Sequence, residues 1–306
     1  MDSQKNQFVN RVLATVGKGE FVETEYDVPP LNTDEICVRA VMTGVCRSDI
    51  DMMQGNFGPL PLHMQGHEGL GRVIGIGADI HDVKFGDYVA TRGEPAYADV
   101  YNVRDREYVV VPEAHPRYIL EPVACGINVV QQPLREIAER SGPGRRLLIL
   151  GSGFLAWIAY NTIRLNHLDF EITVFGYSNK ELWGDKLSPT YEGQFDVIID
   201  LSPYGIVFNS DIVKNEALVV MGVDKDIEGT LGNLLWKACT MIFPSTRYIG
   251  FYRSMEKARD LVEQGLVDVD KFWTKAYNRE TEWQQAFADG NNRPQGYSRG
   301  YIYWNT

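Results

Sequence analysis

Cys46 stands in the stretch "GVCRSDI", followed at once by Arg47, Ser48 and Asp49. About twenty residues on, "GHEGLG" sets His67 beside Glu68 between glycines. A lone cysteine or histidine is most often a small core residue. Two of them in matching glycine-rich contexts, with a carboxylate alongside, make a donor set for zinc. Zinc accepts thiolate, imidazole and carboxylate, and a catalytic site keeps one position open.

A second motif lies at 147–157, "LLILGSGFLAW". An apolar strand leads into Gly151-x-Gly153-x-x-Ala156 and then an apolar helix. Gly151 permits the tight turn. Gly153, with the backbone of Phe154 and Leu155 behind it, lets a pyrophosphate approach a helix N-terminus. The pattern is weak alone and good evidence between strand and helix. The next strand, "ITVF", bears on the cofactor. An NAD site usually carries an acid at its end for the ribose 2′-hydroxyl. Here Gly176 takes that place, and Ser178, Asn179 and Lys180 follow as donors for a 2′-phosphate. The expected cofactor is NADP, ahead of NAD.

These residues need elements to hold them. Residues 8–115 read as short strands broken by Gly and Pro, which suits a compact, largely antiparallel barrel or sandwich. From about 123, strands alternate with helices: "RRLLIL", "FEITVFG", "QFDVIIDL", "EALVVMG" and, as a last strand, "RYIGFY" at 247–252. That rhythm predicts a parallel, doubly wound sheet. Fourteen residues separate Lys180 from Phe195, scarcely room for a helix plus strand, so this α/β sheet is expected to be shortened by one edge strand. "SMEKARDLVEQGLV" is an amphipathic helix. The reading divides the chain into 1–122, completed by 254–306, and 123–253.

Composition sets outer bounds. The 306 residues carry 41 acidic against 30 basic side chains, a net charge of −11. Nucleic acid is a poor partner for such a chain. No apolar run is long enough for a membrane span, and the first twenty residues lack the shape of a secretory signal. Four scattered cysteines suggest no disulfide framework, so a cytoplasmic location is expected.

"GVCRSDI", "GHEGLGRVIGIG", "VKFGDYV", "LEPVACG", "LLILGSGFLA" and "DVIID" occur in the order of the zinc-dependent medium-chain dehydrogenases and reductases, and the chain resembles that family along nearly its whole length. The resemblance implies a GroES-like catalytic domain and a Rossmann-type nucleotide domain. It implies one catalytic zinc on Cys46, His67, Glu68 and Glu121, Glu68 being a ligand or exchanging with bound water. Cys125, one turn after Glu121, is the rival donor. By the same likeness Ser48 takes the alcohol proton and Asp49 orients the zinc histidine. The family's relay histidine is replaced by Asp51. The four cysteines of its second, structural zinc are missing from "TRGEPAYADVYNVRDREYVVVP", so that metal should be absent.

The function so implied is a zinc-dependent, NADP-linked alcohol or polyol dehydrogenase. A zinc-free NADPH reductase of quinones or enones, and a non-catalytic protein on the same fold, are the alternatives. The substrate cleft is expected to draw on loops near 54–64, 91–98 and 270–299. Family members pair through the last strand of the nucleotide sheet, so a homodimer or homotetramer built on 247–252 is expected.

Overall fold

The computed structural model describes residues 9–17, 19–56, 60–208, 211–223 and 232–305. Two compact units emerge, one of residues 1–121 with 259–306, the other of residues 122–258. Among the described residues, no helix is long and apolar enough to cross a membrane. Positions 57–59 of the loop singled out for the cleft lie outside the described residues.

The first unit begins with a hairpin, β1 (Arg11–Gly17) on β2 (Glu20–Glu25). Then come β3 (Glu35–Gly44), α1 (Arg47–Met53), β4 (Gly69–Ile76), β5 (Tyr88–Thr91), β6 (Val100–Arg104) and β7 (Tyr108–Val111). β3 is the hub. It pairs antiparallel with β4 and β6, and β4 continues to β5 and β7. Val12, Leu13, Ile36, Val38, Val73 and Val89 form a dry core. Phe21 stacks on Phe287 at 3.7 Å, and Tyr97 meets both edge-on, so the chain's end closes this core.

The second unit starts within α2 (Glu121–Gln131), which ends before Pro133, and continues with α3 (Leu134–Ala138). There follow β8 (Arg146–Leu150), α4 (Phe154–Leu165), β9 (Glu171–Phe175), α5 (Lys180–Trp183) and β10 (Leu187–Ser188). β11 (Phe195–Asp200), β12 (Val213–Met221), α6 (Gly232–Trp236), β13 (Thr240–Ile242) and α7 (Phe251–Glu263) complete it. The sheet is parallel with order β10-β9-β8-β11-β12-β13. β8 and β11 sit at its centre and are buried on both faces, which is why "RLLIL" and "FDVIID" read as nearly continuous apolar runs.

Two expectations change here. The edge strand is not lost but shrunk. A four-residue helix and a single 3-10 turn lead into β10, whose two residues pair with Val174 and Phe175. "RYIGFY" is not a strand. Tyr248 N–H bonds back to Ser245, Phe251 N–H bonds back to Tyr248, and α7 starts at Phe251. A turn folds 248 back on 245, and Gly250 accommodates the Tyr248 ring. Among the described residues the sheet's last strand is β13, seven residues earlier.

The chain returns to the first unit with β14 (Trp273–Asn278), α8 (Trp283–Asn292) and β15 (Arg299–Tyr303). β15 pairs antiparallel with β3, Tyr301 opposite Gly44.

Candidate metal and nucleotide sites

Antiparallel register explains how ligands far apart in sequence meet. Thr43 at the end of β3 faces Gly69 at the start of β4. The residues just beyond one strand and just before the other therefore converge. Cys46 caps α1, and donor atoms of Cys46, His67 and Glu68 lie within 4.8 Å of one another. A Cβ at Gly44 would run into the Glu68 carboxylate, so the glycine leaves the place that carboxylate occupies.

Asp49 lies beneath this cluster, fully buried. Its Oδ2 accepts the Cys46 N–H at 2.8 Å and the Tyr97 hydroxyl at 2.6 Å. Its Oδ1 has no hydrogen-bond partner and faces His67 Nδ1 at 3.8 Å. The Ser48 hydroxyl stands 3.4 Å from His67 Nε2. Asp51 is elsewhere, paired with Arg47 at 3.0 Å across one helical turn.

Glu68 brings a partner the sequence reading missed. Arg299 NH2 lies 2.6 Å from Glu68 Oε1 and also contacts Oε2. Arg299 stacks over Trp273 at 5.0 Å. Its position follows from β15: Val45 N–H bonds to the Gly300 carbonyl, so the residue before Gly300 lies beside the metal-type cluster. No motif announces it; only the strand pairing does. Glu121 is buried at the start of α2. It acts electrostatically on His67 but stands outside the group of three. Cys125, the rival donor, is half-buried and belongs to the second unit.

The cluster gathers acids and a thiol in a place where Asp49 and Glu68 are buried and Cys46 and His67 are partly so. Burial, with Glu68 adding to it, pushes the Cys46 thiol up. Burial likewise raises Asp49 against the pull of His67 and Tyr97. Burial would lower Arg299, but Glu68 and Cys46 outweigh it and hold the guanidinium charged. Such a pocket gains from a divalent cation, which draws thiol protons off and neutralises carboxylates. The donor types, their spacing and the orphaned Asp49 oxygen all suit zinc.

In the second unit, β8 runs into Gly151 at φ 116°, and Gly153 caps the twelve-residue α4. Nothing stands within 4 Å of where a Cβ on Gly153 would lie, an open cradle of the sort a phosphate needs. Gly176 shows the opposite. A Cβ there would strike Ser152 Oγ and come 2.6 Å from Ser152 Cβ. Its missing side chain is a packing requirement as well as a gap in the acid pattern. Ser178 and Lys180 are exposed. The Asn179 amide is turned inward, onto the Ser152 carbonyl at 2.9 Å and toward Ser178 Oγ at 3.4 Å, so it braces the turn instead of offering itself to a ligand.

Residues 32–119 match the alcohol dehydrogenase GroES-like domain. NADP-dependent alcohol dehydrogenase 6 of Saccharomyces cerevisiae is 26% identical over 169 residues, covering 43% of this chain and 46% of that protein. Glucose 1-dehydrogenase 2 of Vulcanisaeta moutnovskia is 25% identical over 257 residues, 67% of this chain and 72% of that one. The chain spans about half the length of several curated relatives it matches. Among solved structures, a thermostable alcohol dehydrogenase from Pyrobaculum aerophilum aligns with TM-score 0.78 at 16% identity, covering 97% of this chain and all of that one. S. aureus TarJ in complex with NADPH aligns with TM-score 0.75 at 18% identity, over 98% and 100%. These structures share the fold. The GroES-like module, the six-stranded parallel sheet and the dehydrogenase relatives taken together make the chain similar to the zinc-type medium-chain dehydrogenases and reductases.

Proposed function

We propose that this protein is a zinc-dependent, NADP(H)-linked oxidoreductase that interconverts an alcohol or polyol with its aldehyde or ketone. The observation that carries the reading is the cluster of Cys46, His67 and Glu68 within 4.8 Å, braced by Asp49. When bound, zinc would supply Lewis-acid polarisation of the substrate oxygen, and the nicotinamide would exchange the hydride. Cys46, His67 and Glu121 would hold the metal. Glu68, tied to Arg299, would serve as the exchangeable donor. Asp49 would fix the His67 ring, and Ser48 would take the alcohol proton. Asp51, which stands where the relay histidine would be and pairs with Arg47, would pass it on to solvent.

The open turn at Gly153 would take the pyrophosphate of either cofactor, and the exposed Ser178 and Lys180 favour NADP over NAD. With no cysteine between 92 and 112, one zinc per chain is expected and no structural zinc. A reducing compartment, the cytoplasm, suits four free cysteines. Assembly as a homodimer or homotetramer is proposed through β13, now the outermost strand. Exposed Phe243, Tyr248 and Ile249 follow it. The deciding experiment is elemental analysis of protein purified without chelator, followed by a panel of alcohols, polyols and aldehydes with both cofactors. One zinc per chain and turnover with NADP is the expected result. Turnover without zinc would mean a reductase, and binding without turnover a non-catalytic protein.

A further inference from the structure

Ser152 is the middle residue of Gly-x-Gly, a place where the motif accepts any side chain. In this chain it is buried and joined on two sides. Its carbonyl accepts two hydrogen bonds, from Asn179 Nδ2 and from Trp183 Nε1, each at 2.9 Å. Asn179 reaches it by adopting a left-handed conformation, φ 58°. Trp183 reaches it from the short helix α5 that leads toward the shrunken edge strand β10. The Trp183 ring is buried edge-on against Trp157 and Tyr160 of α4. The shortened segment thus clamps one peptide of the phosphate turn.

The hydroxyl makes the second junction. Ser152 Oγ accepts the Ser178 N–H at 3.2 Å and lies 2.9 Å from Ser178 Oγ. One of the two hydroxyls must donate to the other. If Ser178 donated, the Ser152 proton would need another acceptor in a buried place beside Gly176, and burying an unsatisfied donor is costly. If Ser152 donates, both protons are served, because Ser178 is exposed and can turn its own proton outward. The Asn179 amide at 3.4 Å adds a second donor to Ser178 Oγ and enforces the same direction.

We infer that Ser152 is a positioning residue for cofactor recognition. Its carbonyl, clamped by Asn179 and Trp183, sets the turn that meets the pyrophosphate. Its hydroxyl aims the Ser178 proton at an anion on the ribose 2′ oxygen. The inference rests on the nicotinamide-cofactor reading above and adds that the two recognition points are linked through one side chain. It also accounts for Gly176, whose bare Cα leaves the space that the Ser152 hydroxyl occupies.

The test is calorimetric binding of NADPH, NADH and adenosine 2′-monophosphate to the full chain. Ser152→Ala keeps the backbone clamp and removes the hydroxyl. NADPH should bind about tenfold more weakly, the scale of one charge-assisted hydrogen bond, while NADH changes less than twofold. Trp183→Phe keeps an aromatic ring and drops the N–H. It should weaken NADPH and NADH by the same factor and leave adenosine 2′-monophosphate, which has no pyrophosphate, unchanged. Equal losses for both dinucleotides in Ser152→Ala would show a merely structural serine and overturn the inference. So would an unchanged dinucleotide affinity in Trp183→Phe. If the unaltered protein binds NADH as tightly as NADPH, the NADP reading fails instead, and Trp183→Phe still tests the clamp. Binding of neither dinucleotide would sink both.

Discussion

Asp49 in the first unit and Asp196 in the second are both hidden from water, yet their carboxyls shift in opposite directions. Asp49 receives a tyrosine hydroxyl, a backbone N–H and a histidine at 3.8 Å, and burial wins. Asp196 receives Arg145 at 2.6 Å, Lys214 at 2.7 Å and the Arg146 N–H at 3.0 Å. These overcome burial and draw it down to about 2. The difference is whether the fold supplies a cation. Around β8 and β11 it does, and the result is a closed structural ion cluster. Around Cys46 it supplies a bonded cation to Glu68, through Arg299, and to Asp49 only the more distant His67 at 3.8 Å. Changing either set of charges tests this contrast.

The largest effect is expected from Cys46→Ala. The proposed zinc site loses the thiolate of its three-donor cluster, so zinc content and turnover should both vanish. Retained zinc with retained turnover would place the metal elsewhere. Arg299→Met should act on stability. It leaves the Glu68 carboxylate buried and unpaired, which in comparable cases costs about 3–5 kcal/mol. The double variant Glu68→Gln with Arg299→Met should regain most of that loss in chemical denaturation. A single variant as stable as the parent would show the pair to be dispensable.

Asp49→Asn is milder. The cluster keeps its ligands, but the His67 ring loses the charge that orients it, and removing such a partner typically weakens metal binding about 10–100-fold. Competition against a chelator reads this directly. An unchanged zinc affinity would break the link drawn from the 3.8 Å approach.

How much of this could be read from the chain follows the same division. The donors of the metal-type cluster were legible because they sit in glycine-framed motifs at the ends of β3 and β4. Arg299 was not, since it reaches Glu68 only through the β15–β3 register, over 231 residues. Tyr97 was missed for the same reason, its hydroxyl meeting Asp49 across 48 residues. In the second unit the glycine turn and the central strands were clear, as buried parallel strands leave long apolar runs. "RYIGFY" misled because an apolar, aromatic stretch has strand propensity, and local turns prevailed over it. Gly176 was read as an absent acid. Its contact with Ser152 adds a steric reason that the pattern could not show. Gly176→Asp, which the missing acid would suggest as a route to NAD preference, should therefore weaken both cofactors. Overpacking of this kind costs about 1–3 kcal/mol. A clean reversal to NAD would show that the turn yields to the larger side chain.

Asp196→Asn should have the smallest effect and the most specific signature. The carboxylate ties the start of β11 to Arg146 at the start of β8 and to Lys214 on β12, so it pins three neighbouring strands at one end. Its partners are partly exposed, with 49% and 44% of their side chains accessible, so solvent screens the pairs. The contribution is therefore set at about 1 kcal/mol instead of the full value of the shift. The sign follows from linkage. The folded carboxyl titrates at about 2, below its ordinary unfolded value near 3.9. The stabilisation is fully present above the unfolded value and is lost as pH falls through the folded one. Denaturation at pH 7 should show the deficit in Asp196→Asn. The gap to the parent should hold down to about pH 4 and close toward pH 2. A gap that persists at pH 2 would mean that the substitution disturbs packing instead of removing charge, and the contrast with Asp49 would lose its electrostatic basis.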